Sequence, residues 1–172
     1  MNNTLEKFAT LASWLMLFGR GILLSVILLL IIMRSLITAV KVDGHSMDPT
    51  LKDKQWVLVD LVSKNFNSWN RGDVVILRFP GDPLNTWYVK RIIGIPGDQI
   101  KIVDDVVYRN NQKITEDYLP SGSITFTGVI DIDGTVPNDQ YLVLGDNRQV
   151  SNDSRFFGYV PKEDLFGKVI GY

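Results

Sequence analysis

The residues that could do chemistry are few, and that scarcity narrows the mechanism. The chain has no cysteine and a single histidine, His45. Thiol catalysis, disulfides and thiolate metal sites are therefore absent, and so is a zinc site built mainly from imidazoles. The best nucleophile candidate is Ser46, in the turn-forming stretch Asp43 to Leu51 (DGHSMDPTL). A histidine base must reach the serine from elsewhere in a fold, but His45 is its immediate neighbour. Adjacent side chains in extended structure point to opposite faces, so the base for Ser46 falls to a lysine or a carboxylate.

Gly44 allows a close backbone approach or an unusual φ beside Ser46, and Pro49 stiffens the exit of the turn. Lys90 lies within Trp87 to Asp98 (WYVKRIIGIPGD). On a strand, Tyr88, Lys90 and Ile92 share one face, and Val89, Arg91 and Ile93 the other. Such apolar flanking strips water from an ammonium and lowers its pKa from about 10.4 toward neutrality, where it becomes a usable base. The third segment, Gly145 to Arg155 (GDNRQVSNDSR), is dense in turn-formers and charges. Taken singly, each segment equally suits a bland role: a surface turn, a lysine snorkelling from a strand edge, a polar loop with an Asp153–Arg155 ion pair. Asp131 to Gly134 resembles the start of a calcium loop, but Leu142 stands where the bidentate glutamate belongs.

Positioning these residues requires a β scaffold. Gln55–Val62, Asp73–Phe79 and Trp87–Ile95 read as strands, Gln99–Val103 and Val106–Arg109 as a hairpin across Asp104–Asp105. Ile124–Thr127, Tyr141–Leu144 and Lys168–Ile170 read as further strands. Many short strands separated by Gly, Pro and Asn turns predict an all-β barrel or sandwich. Upstream, Gly21 to Met33 is an uncharged apolar run, extended to Val40 beyond Arg34 and back to Trp14 beyond Arg20. A helix from near Arg20 to Val40 matches the roughly 20 residues needed to cross a bilayer. A cleaved secretion signal fits less well, since no small-x-small cleavage site stands near Ala39. The organisation predicted is an anchor over residues 1–40 and a catalytic domain over 41–172, held close to the membrane surface. A composition of 45% hydrophobic and 22% charged residues with net charge −1 is that of a folded domain without a basic field, so nucleic acid is excluded as a partner.

Taken together and in order, the three segments resemble bacterial type I signal peptidases, the Ser-Lys endopeptidases. Ser46-Met47-x-Pro49-Thr50-Leu51 is similar to the nucleophile box, Tyr88-Val89-Lys90-Arg91-x-x-Gly94-x-Pro96-Gly97-Asp98 to the lysine box, and Gly145-Asp146-Asn147-Arg148-x-x-Ser151-x-Asp153-Ser154-Arg155 to the last box. The resemblance implies a twisted antiparallel β-sheet, barrel-like, behind one transmembrane helix. It implies a Ser46 nucleophile, Lys90 as general base, Ser151 orienting Lys90 by a hydrogen bond, and the Ser46 N–H in the oxyanion hole. Some members carry serine where this chain has Gly44, which removes one hydroxyl from that hole. Arg91, Asp146, Asp153 and Arg155 correspond to salt-bridge and loop-holding positions. Val42, Met47, Leu51, Tyr88 and Val89 correspond to walls of the substrate cleft that accept the small residues of an Ala-x-Ala site, with the substrate added as a strand.

The same resemblance implies no cofactor and no metal. Its partners are the signal peptides of secreted preproteins, membrane lipid and the protein-export channel. It places the N-terminus in the cytoplasm and the catalytic domain outside, anchored by a single pass in the cell membrane. Larger relatives carry a second span and a long insert between the last two boxes, and this chain resembles the compact type. Three other functions compete: an autoproteolytic repressor of the related Ser-Lys type, against which the apolar N-terminal helix speaks; a non-catalytic protein that kept the fold; and a peptidase dedicated to one substrate.

Overall fold

The computed structural model describes residues 2–66, 69–79, 81–84 and 86–172. It divides into two units, the first ending at Leu36 and the second running from Ile37 to Tyr172. The first is one helix, α1 (Asn2–Leu36). Its stretch Ser13–Ile31 has a mean hydropathy of 2.3 over 19 residues. At about 1.5 Å per residue that is about 28 Å, long and apolar enough to cross a membrane. Between Ser13 and Ile31 the leucines, isoleucines and Trp14 are exposed.

The helix ends at Leu36, four residues before the apolar run does. Ile37–Lys41 is instead a strand, β1, paired antiparallel with β2 (Trp56–Asp60) from Ile37↔Asp60 to Lys41↔Trp56. Three of its five residues, Ile37, Thr38 and Val40, are β-branched, which favours a strand once a partner is present.

The remaining elements are α2 (Ser63–Phe66), β3 (Val74–Arg78), β4 (Trp87–Gly94), β5 (Gln99–Val103), β6 (Val106–Arg109), β7 (Gln112–Lys113), β8 (Asp133–Thr135), β9 (Gln140–Leu144), α3 (Ser154–Phe157), β10 (Val160–Pro161) and β11 (Leu165–Ile170). They form a seven-stranded sheet, ordered β1-β2-β11-β3-β4-β9-β10, and a four-stranded sheet, ordered β7-β6-β5-β8. The strand pairs are antiparallel, so the predicted mainly β antiparallel fold is the one found.

Three apolar clusters fill the domain. The first joins Val42, Met47 and Leu51 to Val57, Val59, Val74, Ile76 and Val169. The second holds Trp69, Val75, Leu77, Ile92 and Val143, and the third Ile93, Ile100, Val107 and Leu142. Burying a side chain of this size contributes about 1.5–3 kcal/mol, so the segment from Val42 to Leu51 is fixed by three such plugs. β4 lies between β3 and β9, and residues 90–94 are buried without alternation, as a central strand covered on both faces must be.

One predicted strand is not formed. Ile124–Thr127 is irregular. The backbone N–H of Thr125 bonds the Asp105 carbonyl (2.8 Å), and its hydroxyl is taken by Arg148, so isolated bonds stand there in place of a ladder.

Candidate active site

Ser46 sits in the turn that leads from β1 toward β2. The turn is pinned at its base by the Val42 N–H to the Gln55 carbonyl (2.8 Å) and at its exit by the Leu51 N–H to the Met47 carbonyl (2.9 Å). Gly44 has φ +95°, a conformation glycine adopts without steric cost, and its N–H bonds Asp53 Oδ1 at 2.8 Å. A serine there would be strained, which accounts for glycine at this position. The His45 ring is 67% exposed and bonds Asp48 Oδ2 at 3.0 Å. It is turned away from the serine it precedes.

Lys90 projects from the buried part of β4. Its Nζ lies 2.9 Å from Ser46 Oγ and 3.0 Å from the Val89 carbonyl, and the residue is 1% exposed. The Tyr88 ring centroid is 5.5 Å from Nζ. Burial lowers the Lys90 pKa to about 8. The carboxylates of Asp153 and Asp146 oppose the fall, and Arg155 adds to it. A neutral amine has a lone pair free to accept the serine proton, so the pair has the composition and reach of a nucleophile with its base.

The loop following β9 closes on the same point. The Asn147 N–H bonds the Ser46 carbonyl at 3.0 Å. Gly145 is glycine by close approach: a Cβ there would stand 2.5 Å from both the Ser46 carbonyl oxygen and Ser151 Cβ. The two serines thus converge on one residue without a side chain. Ser151 is 3% exposed, and its Oγ has no hydrogen-bond partner among the described residues. The implied Ser151–Lys90 bond is not formed. The lysine's contacts go to Ser46 and Val89 instead.

Two buried ion pairs hold this loop. Arg91 Nε and Nη2 grip Asp146 at 2.9 and 2.6 Å, and Asp146 also accepts the Thr50 hydroxyl at 2.5 Å. Arg155 grips Asp153 at 2.8 and 2.9 Å, while Asp153 Oδ2 accepts the Gly145 N–H at 3.0 Å. The first pair ties the lysine strand to the nucleophile segment, because Arg91 follows Lys90 and Thr50 follows Ser46 by four residues.

Of the cleft residues, Val42, Met47 and Leu51 lie in the first apolar cluster, with Val89 packed against it, and Tyr88 borders the second. Val42, Met47 and Leu51 are 4%, 1% and 0% exposed, so they are core residues that seat the Ser46 turn, while Tyr88 and Val89 are half-buried. Sequence reasoning missed Glu116, Tyr118 and Thr125, which gather around Arg148. Nothing in their spacing signals this. No group of three or more His, Asp or Glu able to hold a metal occurs among the described residues.

Comparison with known proteins gives the family. The family model described as "Signal peptidase, peptidase S26" matches residues 13–171. Signal peptidase I P of Bacillus subtilis subsp. natto is 38% identical over 171 residues, covering 95% of this chain and 91% of the relative. Signal peptidase IB of Staphylococcus aureus (strain COL) is 36% identical over 164 residues, 87% of this chain and 84% of the relative. The crystal structure of a signal peptidase I from Enterococcus faecalis V583 superposes with a TM-score of 0.51 at 31% identity, over 60% of this chain and 97% of that one. The chain belongs to the signal peptidase family of serine endopeptidases, peptidase S26.

Proposed function

We propose that the protein is a membrane-anchored endopeptidase that removes signal peptides from exported preproteins after small residues. The observation that carries the reading is the 2.9 Å contact between Ser46 Oγ and a Lys90 that is 1% exposed. Neutral Lys90 takes the hydroxyl proton as Ser46 Oγ attacks the scissile carbonyl carbon. The oxyanion is held by the Ser46 N–H, which donates no backbone hydrogen bond among the described residues. Collapse breaks the C–N bond, and Lys90 passes its proton to the leaving amine. Neutral Lys90 then takes a proton from water as the water oxygen attacks the ester carbonyl, and collapse of that intermediate breaks the C–O bond while Lys90 returns the proton to Ser46 Oγ.

Val42, Met47, Leu51, Tyr88 and Val89 are assigned to apolar subsites for small side chains on the acyl side of the cut, the Ala-x-Ala pattern, with the half-buried Tyr88 and Val89 offering the reachable surface. Among the described residues strand β1 pairs with β2 alone, and its other edge suits an added substrate strand. Ser151, buried beside Ser46, is assigned to orient the lysine during turnover.

Helix α1 serves as a single-pass anchor, N-terminus in the cytoplasm and catalytic domain outside, where substrates emerge from the protein-export channel. Contact of the domain with lipid is supported by exposed aromatic residues: Trp56, Phe66 and Trp87. The Arg78 guanidinium lies 4.7 Å over the Trp87 ring. Aromatic rings beside cations suit the headgroup layer.

The test compares full-length wild type, Ser46→Ala and Lys90→Ala in detergent on a preprotein with an Ala-x-Ala site. Cleavage after the second alanine by wild type alone, with both variants folded, supports the reading. An active Lys90→Ala would falsify the assigned base.

A further inference from the structure

Residues 114–128, between β7 and β8, form a strap that gathers around one buried cation. Arg148 is 2% exposed. A guanidinium has five N–H donors in a fixed fork, and here each has an acceptor. Nε bonds the Gly145 carbonyl at 3.1 Å. Nη1 bonds Glu116 Oε2 at 3.1 Å and the Thr125 hydroxyl. Nη2 bonds Glu116 Oε1 and, at 3.3 Å, the Tyr118 hydroxyl, which itself donates to Glu116 Oε1 at 2.6 Å. Burial, with the Glu116 carboxylate beside it, raises the Tyr118 pKa and keeps the phenol protonated.

Tyr118 also reaches a second arginine. Its ring centroid is 3.9 Å from the Arg91 guanidinium carbon, a cation–π contact in a half-buried setting. One tyrosine therefore touches both arginines that frame the dyad. Arg91 follows Lys90 and holds Asp146, which holds Thr50 of the nucleophile segment. Arg148 fixes the carbonyl of Gly145, the residue on which Ser46 and Ser151 converge. Neither Glu116 nor Tyr118 touches Ser46 or Lys90.

We infer that Glu116 and Tyr118 are positioning residues for the Ser46–Lys90 pair, a clasp from the strap that fixes Arg91 and Arg148 so that the loop after β9 stays closed over the lysine. The inference rests on the peptidase function proposed above, and its test separates the two.

The experiment uses the full chain in detergent micelles, with three variants. Tyr118→Leu removes ring and hydroxyl, Tyr118→Phe keeps the ring, and Glu116→Gln keeps the shape and removes the charge. Steady-state cleavage of the Ala-x-Ala preprotein is measured well below each variant's Tm. The Lys90 titration is followed by NMR of carbon-labelled lysine, its signal assigned with Lys90→Met. The groups facing Lys90 are Ser46 Oγ, the Val89 carbonyl, the Tyr88 ring, the carboxylates of Asp146 and Asp153, and Arg155. Tyr118→Leu changes none of those charges, so an upward move of the midpoint reports water reaching the amine.

The clasp requires kcat to fall about 10-fold or more in Tyr118→Leu with KM within about twofold, together with a raised Lys90 midpoint. Tyr118→Phe should retain the wild-type midpoint and most of kcat, and Glu116→Gln should lose about 10-fold in kcat. Should Tyr118→Leu fail to fold, Tyr118→Phe and Glu116→Gln carry the same comparison. Lowered Tm with unchanged kcat and midpoint in the folded variants overturns the inference. If wild type itself does not cut, the peptidase reading fails, while the Lys90 midpoints still decide the clasp.

Discussion

Lys90 Nζ stands 2.9 Å from Ser46 Oγ across a sequence separation of 44 residues, at a site where the lysine is 1% exposed. Burial there lowers the lysine pKa to about 8, and only the neutral amine can accept the serine proton. Under the proposed mechanism, kcat/KM rises with pH and levels off above about 8, the acid limb having unit slope for one proton. His45 does not contribute to this limb, since its ring faces solvent and Asp48. A pH–rate profile of wild type beside His45→Ala checks both points. A limb that His45→Ala moves or abolishes makes histidine the base.

The same burial makes Lys90 a stability liability with a defined pH window. Its folded pKa of about 8 is below the ordinary lysine value of 10.5, so between those values the unfolded chain binds more protons and stability rises with pH. Below about 8 the full penalty is present, about 3 kcal/mol at about 1.4 kcal/mol per pKa unit. Methionine fills similar space without charge. Lys90→Met should therefore be inactive yet more stable than wild type at pH 7, by about 1–3 kcal/mol once the lost bond to the Val89 carbonyl is counted. Thermal unfolding at pH 7 and pH 10 measures it. An equal gain at both values contradicts burial of the charge as its source.

Much of this was legible in the sequence, for reasons that also explain what was not. β2, β3, β4 and the β5–β6 hairpin announce themselves by β-branched runs between turn residues, and Asp104 and Asp105 both take positive φ where the hairpin turns. β1 was hidden because Ile37–Lys41 continues the apolar texture of α1, and only pairing with β2 distinguishes it. Ser46 and Lys90 were singled out by elimination and by motif, and the fold brings them into contact. Glu116 and Tyr118 were not, because their contacts depend on Arg148 being buried, a property of the tertiary structure rather than of spacing.

Gly145 tests how tightly the loop must fit. An alanine Cβ would stand 2.5 Å from the Ser46 carbonyl oxygen and 2.5 Å from Ser151 Cβ, well inside van der Waals contact. Either the Ser46 turn or the loop must move by about 1 Å, a displacement that can cost about 100-fold in rate. Gly145→Ala should lose about that much kcat/KM while still folding. A variant cutting at the wild-type rate would show that the convergence of the two serines has no functional weight.

Asp153 separates electrostatics from scaffolding, because its two effects have opposite signs. It is 0% exposed, holds the Arg155 guanidinium by two bonds, and accepts the Gly145 N–H. Removing one partner of a buried pair costs about 3–5 kcal/mol, so Asp153→Asn should lower Tm markedly. Asparagine keeps the shape but removes the carboxylate that most opposes the fall in the Lys90 pKa, so that pKa should drop further. The acid limb of kcat/KM in the folded variant then moves to lower pH, even as the protein becomes less stable. If the loop merely loosens, water reaches the lysine and the limb moves to higher pH. The direction of that shift, measured well below the variant's Tm, decides whether Asp153 acts on Lys90 through its charge or through the loop it holds.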